Sequence, residues 1–222
     1  MPRAFMADRA EQRRRPVAGP LGLAGLGLVA LALVWAVAEL VPAAHLRDAV
    51  LLHHFVSLEG AGINGVAERL LGLLDPPLFM IWGVVLVLVA LARERPRVAA
   101  AIVVVLALAP FSAEILKPLL AHEHVRIGFT HIGRASFPSG HSTAAAILAL
   151  SAVLVAPRRA RLAVAGLGVV FALAVGAALL IRSWHMPSDV IGGYLVALFW
   201  TALAVAGVRW SERRWPARPT AD

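Results

Sequence analysis

Apolar residues along this chain of 222 fall into long runs separated by short polar clusters. A helix needs about 20 mostly apolar residues to cross roughly 30 Å of hydrocarbon. Six stretches qualify, near residues 20–41, 77–92, 98–116, 141–156, 162–181 and 190–208. The pattern predicts an all-α, polytopic membrane protein built as a bundle of six transmembrane helices. The second and fourth stretches are short. The second is expected to begin earlier, near Leu70, with Asp75-Pro76-Pro77 disturbing its first turn, and the third carries a Pro110 kink of the kind membrane helices tolerate. Arg13-Arg14-Arg15 precedes the first run as in a signal peptide, but an apolar core of about 20 residues exceeds the roughly 7 to 15 of such a leader. That run is therefore read as a retained helix. Residues 42–70 are long and mixed, and His53-His54-Phe55 with 63–71 read as a short amphipathic helix on the membrane surface. The segment is either a passive connector or a lid at a substrate entry. One membrane domain, 20–209, is expected between a basic tail, 1–19, and a second tail, 210–222.

Composition removes several alternatives. The chain is 60% hydrophobic and 15% charged, against about 45 to 50% and about 25% in a soluble domain. That excludes a water-soluble globule, and disordered chains show the opposite balance. With no cysteine there is neither a disulfide framework nor a thiolate metal site. The net charge of +8 invites a nucleic-acid reading, but the basic residues lie between apolar runs rather than along a soluble face, so no nucleic-acid partner is expected.

Positive charge orients a bundle instead, because Lys and Arg concentrate in cytoplasmic loops. With six spans, 15 of the 21 basic residues fall on the side of the termini, including Arg93, Arg95, Arg97, Arg158, Arg159 and Arg161. Five acids share that side, leaving it at +10 and the other at −2. Both termini are thus expected to be cytoplasmic, in a multi-pass protein of the cell's inner (plasma) membrane. All eight histidines, His45, His53, His54, His122, His124, His131, His141 and His185, fall in the outer half.

Three polar clusters fall at the outer ends of the third to sixth spans: Lys117, Ser136-Phe137-Pro138-Ser139-Gly140-His141, and Arg182-Ser183-Trp184-His185-Met186-Pro187-Ser188-Asp189. Topology brings them to one side at similar depth. Ser139 and Gly140 stand where a helix should start, and free backbone N–H groups at a positive dipole end bind anions. Gly140 allows close approach, and Ser139 can cap the helix or donate its hydroxyl. Lys117 is the chain's one lysine; by itself it reads equally as a snorkelling anchor. Two histidines add what phosphate binding alone does not need. One neutral imidazole can attack phosphorus while the other protonates the leaving oxygen. Asp189, four residues after His185, can accept its ring N–H and fix the tautomer.

Phe137-Pro138-Ser139-Gly140-His141 resembles the central PSGH motif of the type 2 phosphatidic acid phosphatase (PAP2) superfamily, and His185 to Asp189 is similar to the HxxxD end of its third motif. Lys117, 22 residues before Ser139, resembles the lysine opening the first motif, KxxxxxxRP. The six-span layout is similar to that of the family's bacterial membrane members. Two arginines depart from the pattern: the first-motif Arg-Pro falls on His124-Val125, and the third-motif Ser-Arg on Ala178-Leu179. Arg182, Arg126 and Arg134 are the candidates to replace them, with Arg182 preferred for its anchoring beside His185.

The resemblance implies metal-independent hydrolysis of a phosphomonoester or diphosphate through a phosphohistidine, with no cofactor and no metal ligand. It makes His185 the nucleophile, Asp189 its orienter and His141 the acid and then the base, while Lys117, Ser139, Gly140, Arg182 and Arg126 bind the phosphoryl oxygens. A site at headgroup level favours a lipid phosphate: a polyprenyl diphosphate such as undecaprenyl diphosphate, phosphatidic acid or phosphatidylglycerol phosphate. Transfer to another acceptor through the same intermediate is the alternative within the enzyme class. A transporter or assembly factor that binds phosphate or a metal is the alternative outside it, with His122-Glu123-His124 as candidate ligands. The sequence does not set an oligomeric state.

Overall fold

The computed structural model describes residues 17–124 and 132–216. Among them the elements are α1 (Ala18–Leu40), α2 (Pro42–Val56), α3 (Ala61–Gly72), α4 (Pro76–Ala92), α5 (Pro96–Leu119), α6 (Gly140–Val155), a 3-10 turn (Arg158–Ala160), α7 (Arg161–Ile181) and α8 (Pro187–Arg214). Four of the helices start on a proline, Pro42, Pro76, Pro96 and Pro187, where a fixed φ suits the first turn and the missing N–H is not needed. Pro110 and Pro118 lie inside α5 without ending it.

Helices α1, α5, α7 and α8 are each long and apolar enough to cross a membrane, and α3 with α4, bent by 54° at the break before Pro76, makes a fifth crossing if counted as one. The count of six read from hydropathy is therefore not reproduced on length alone. The shortfall is α6, whose 16 residues span only about 24 Å. Its start can lie within the hydrocarbon depth because Ser136, Phe137, Pro138 and Ser139, which lead into it, are buried in protein; irregular backbone is tolerated there when lipid does not touch it. The bent pair has a similar cause. Asp75-Pro76-Pro77 breaks the chain, as expected, but the preceding turns form a helix of their own.

α6 is the centre of the bundle and packs against α4, α5, α7 and α8, while α1 lies chiefly along α8. Small residues make this possible: Ala144, Ala145, Ala146, Ser142, Thr143 and Ser151 are all buried on α6. The outer faces of α1, α4 and α7 expose Leu26, Leu33, Met80, Val84, Leu162, Leu167 and Val170, the lipid-facing surface of a multi-pass membrane protein. Residues 42–70 form two helices rather than one. Ala49 and Leu52 of α2 and Ala67 and Leu71 of α3 pack with Ala145, Leu148, Val175 and Leu179 of α6 and α7.

The two ends of the bundle differ. At one, Arg95 donates to the Leu154 carbonyl at 2.7 Å, Arg97 donates to the Trp215 carbonyl, and Arg95, Arg161, Arg209 and Glu212 surround a cavity of about 200 Å³. At the other stand His45, His122, His124, His141 and His185. The sequence clusters therefore do converge on one end.

The tightest crossing is between α6 and α8. The Ser139 N–H donates to the Asp189 carbonyl at 2.9 Å, and Thr143 Oγ1 donates to the Gly193 carbonyl at 3.2 Å. A methyl group on Gly193 would lie 2.5 Å from the Ser139 carbonyl oxygen and closer still to Ser142 Oγ, so the two backbones could not meet. Gly193→Ala is expected to destabilise the protein by about 1–3 kcal/mol, the cost of overpacking a tight interface. Thermal unfolding in detergent reads this, and an unchanged midpoint would disprove the requirement.

Candidate active site

Two helix starts and one helix end build the histidine-rich end. At the first, Ser139 is extended (φ −69°, ψ 123°) and its hydroxyl accepts the Ser142 N–H at 3.3 Å, which caps α6. The amides of Gly140 and His141 then have no carbonyl of their own helix to bind. The end of α5 brings Lys117 to the same place: a methyl group on Gly140 would lie 3.8 Å from Lys117 Nζ and 2.8 Å from Glu114 Oε1. Lys117 is itself bonded to Glu114 at 2.7 Å. Glycine, cation and helix start are thus adjacent.

The second start belongs to α8. Ahead of it α7 ends in a Schellman turn, in which Trp184 N–H donates to the Leu179 carbonyl and Ser183 N–H to that of Leu180, both at 3.0 Å. Ser183 takes the left-handed position of that turn (φ 52°), where glycine is usual. The reversal presents Trp184 and His185. His141 meets Trp184 edge-on, with ring centroids 5.7 Å apart, and lies within electrostatic reach of His185, Lys117, Asp75 and Glu114.

Asp189 is fully buried in the first turn of α8. Its Oδ2 accepts the Met186 N–H at 2.8 Å and lies 3.3 Å from His185 Nδ1, while Oδ1 has no partner. A carboxylate on Nδ1 keeps the hydrogen there and leaves Nε2 as the nucleophilic or basic nitrogen. His185, Asp189, His141, Ser139, Gly140 and Lys117 are therefore brought to one end of the bundle.

The arginines fare differently. Arg182 Nη2 is 3.2 Å from Glu68 and Nη1 is 3.8 Å from Glu59, while its buried Nε has no partner. Arg126 lies outside the described residues. Arg134 is exposed and pairs with Glu123 at 3.7 Å.

Asp48 of α2 was not singled out in the sequence, yet it reaches the start of α8. It accepts the Ser188 N–H at 3.1 Å and the Ser188 hydroxyl at 2.6 Å. Burial raises its pKa above the ordinary 3.8, and the Ser188 hydrogen bonds partly offset this. The available signal was the apolar face of 42–56, where Ala49, Leu52, Phe55 and Val56 recur at helical spacing beside one acid. His124, standing where the resemblance expects arginine, bonds to Ser136 Oγ at 2.9 Å through Nε2. Burial lowers its pKa to about 4; Asp189 pulls the other way, and His122 and His45 add to the fall.

The PAP2 superfamily model matches residues 83–213, more than half of the chain. The chain belongs to the PAP2 superfamily. The crystal structure of the first transmembrane PAP2 type phosphatidylglycerolphosphate phosphatase from Bacillus subtilis superposes with a TM-score of 0.69 at 22% identity, over 88% of this chain and 99% of that one. At that identity the likeness is one of fold. No curated relative matches the sequence. The PAP2 match takes in Lys117, the Ser139 to His141 start and the His185 to Asp189 turn. It leaves out α1, α2, which supplies Asp48, and α3.

The raised pKa of Asp48 has a definite sign. The folded protein holds a proton that the unfolded chain releases near 3.8, so stability falls as pH rises from 3.8 through the elevated folded value. Asp48→Asn keeps an acceptor for Ser188 without that loss. It is expected to match or exceed the parent's melting temperature at neutral pH, with the gap closing in acid. Asp48→Ala, which strands both Ser188 donors, should melt lower at every pH. Equal behaviour of the two variants would count against the assignment.

Proposed function

We propose that this PAP2 phosphatase hydrolyses the phosphate or diphosphate of a membrane lipid through a covalent phosphohistidine, with no metal in the chemical step. The observation that carries the reading is the His185–Asp189 pair set beside His141, Lys117 and the Ser139-capped start of α6. His185 Nε2 attacks phosphorus while Asp189 holds the Nδ1 hydrogen and stabilises the positive ring. His141 gives its proton to the leaving oxygen, then takes one from the water that splits the P–N bond. Lys117, the Ser139 hydroxyl and the Gly140 amide hold the phosphoryl oxygens, whose charge must be stabilised during transfer. Arg182 is the further cation, offering its unpartnered Nε while Glu59 and Glu68 hold its other nitrogens. Arg126 is proposed as a further phosphate-binding residue.

An amphiphilic substrate also suits the surroundings. A groove of about 330 Å³ between α1, α2 and α8 is lined by Leu33, Val34, Val37, Ala38, Ala44 and Ile191, with Asp48 and Ser188 as its polar residues. Acyl or prenyl chains would occupy the apolar part, with the phosphate outside the groove, at Lys117 and the start of α6. Phosphatidylglycerol phosphate, phosphatidic acid and polyprenyl diphosphate share this chemistry. The arginine-rich end is proposed to face the cytoplasm with both termini, which puts the reaction on the outer side of the inner membrane.

Purified protein in detergent should release phosphate from a panel of lipid mono- and diphosphates with EDTA present. His185→Ala should lower the rate by at least about 1,000-fold, as expected for loss of a nucleophile; wild-type turnover in that variant would sink the mechanism. Arg182→Ala should lower kcat/KM by about 100-fold, the scale of one transition-state donor, and normal kinetics would remove Arg182 from the site.

A further inference from the structure

A second cluster at the histidine-rich end plays no part in that reaction. His122 Nε2 is 2.5 Å from Glu39 Oε1 at the end of α1 and 3.2 Å from His124 Nδ1. One ligand atom from each residue fits within 4.8 Å of the others. Side-chain exposure is only 8% for Glu39 and 12% for His122, so water does not screen the group. His45 of α2 flanks it, its ring 6.4 Å from that of His122 and 6.2 Å from that of His124.

Hydrogen bonds on the far side of each ring show which nitrogens point inward. His122 Nδ1 lies 2.9 Å from the Leu120 carbonyl, which can only accept, so Nδ1 carries the hydrogen. With that hydrogen on Nδ1, Nε2 is the nitrogen that faces Glu39 and His124 and can offer a lone pair to a cation between them. His124 is held by Ser136 through Nε2, which aims Nδ1 at the same point. Metal-binding histidines are oriented in this way, by a carbonyl or other polar partner on the second nitrogen. An imidazole nitrogen and a carboxylate oxygen 2.5 Å apart share a positive centre, either a proton or a metal ion.

We infer that Glu39, His122 and His124 form a binding site for a divalent cation of the zinc class. Donors about 2.0–2.2 Å from a tetrahedral ion lie about 3.3–3.6 Å apart. The two imidazole nitrogens already have nearly that spacing, and Glu39 need withdraw by about 1 Å. Two nitrogens and one carboxylate oxygen select zinc, cobalt or nickel over magnesium, which prefers six oxygens. The fourth position falls to water or to His45. The ion would staple the end of α1 to the loop after α5 and, through Ser136, to the approach to α6. The carboxylate comes from Glu39 rather than from Glu123, the acid between the histidines in sequence, which pairs with Arg134 on the surface.

The test is independent of phosphatase activity, so its failure and the failure of the proposed hydrolysis are told apart. Untagged full-length protein in detergent is stripped with chelator and titrated with Co²⁺. One equivalent should give the visible absorption of a tetrahedral site, and one equivalent of Zn²⁺ should abolish it, whereas Mg²⁺ should do neither. Zn²⁺ at about 100 times its Kd should raise the melting temperature by about 5–10 °C. His124→Ala and Glu39→Gln should each weaken Zn²⁺ binding at least about tenfold, while the exposed pair His53→Ala/His54→Ala binds like the parent. If either variant fails to fold, Ser136→Ala is read instead, with a loss of about tenfold expected from releasing His124. No cobalt spectrum and no zinc-dependent melting in the parent would mean that a proton alone sits between Glu39 and His122, and would overturn the site. Unchanged affinity in the variants would overturn it equally.

Discussion

The close approach of α6 and α8 governs the histidine-rich end of this protein. Ser139 donates its amide to the Asp189 carbonyl while the Asp189 side chain holds Met186 and faces His185, so one residue of α8 is joined to both halves of the site. Gly193 lets this happen one turn further along. Separating the helices would move the capped start of α6 away from the turn carrying His185. The edge-on contact of His141 with Trp184 depends on that crossing.

Around it the protein gathers carboxylates in a poorly hydrated place. Asp189, Asp48 and Glu39 come from three helices, and each is met by donors or imidazoles: Met186 and His185, Ser188, and His122. A buried carboxylate is costly unless bonded. Asp48 ties α2 to the start of α8 and Glu39 ties the end of α1 to the segment after α5, while Asp189 is held within its own turn. The region outside the family match, α1 to α3, is therefore an integral wall of the site rather than an appendage.

Much of this was legible in the sequence because membrane helices announce themselves by composition, and because Ser139-Gly140-His141 and His185 to Asp189 carry their chemistry in contiguous residues. What escaped depends on contacts between distant segments. Asp48 lies in a stretch that hydropathy treats as a connector, and only its hydrogen bonds to Ser188 show its purpose. Arg182 is legible as a cation beside His185, but its carboxylate partners, Glu59 just before α3 and Glu68 within it, are set by a packing that no local pattern specifies. Glu123 looked like the natural companion of His122 and His124, yet a loop directs neighbouring side chains apart, and Glu39 approaches from another helix. The shortness of α6 was visible; that it is tolerated because protein buries its start was not.

α8 joins the two ends of the molecule in one rod. Its 28 residues measure about 42 Å, longer than the hydrocarbon it crosses. It carries Asp189 in its first turn and Arg209, Arg213 and Arg214 at the far end, where Trp210 and Trp215 pack edge to face with centroids 5.2 Å apart. Tryptophan and arginine hold a helix at a fixed height against the headgroups. Because the rod does not stretch, that anchorage also fixes the height of His185 and Asp189 at the opposite leaflet. In a thicker bilayer the same helix would leave them deeper among the lipid chains, in a thinner one nearer water. Membrane thickness thus sets the depth of His185 and Asp189, transmitted through the length of a single helix.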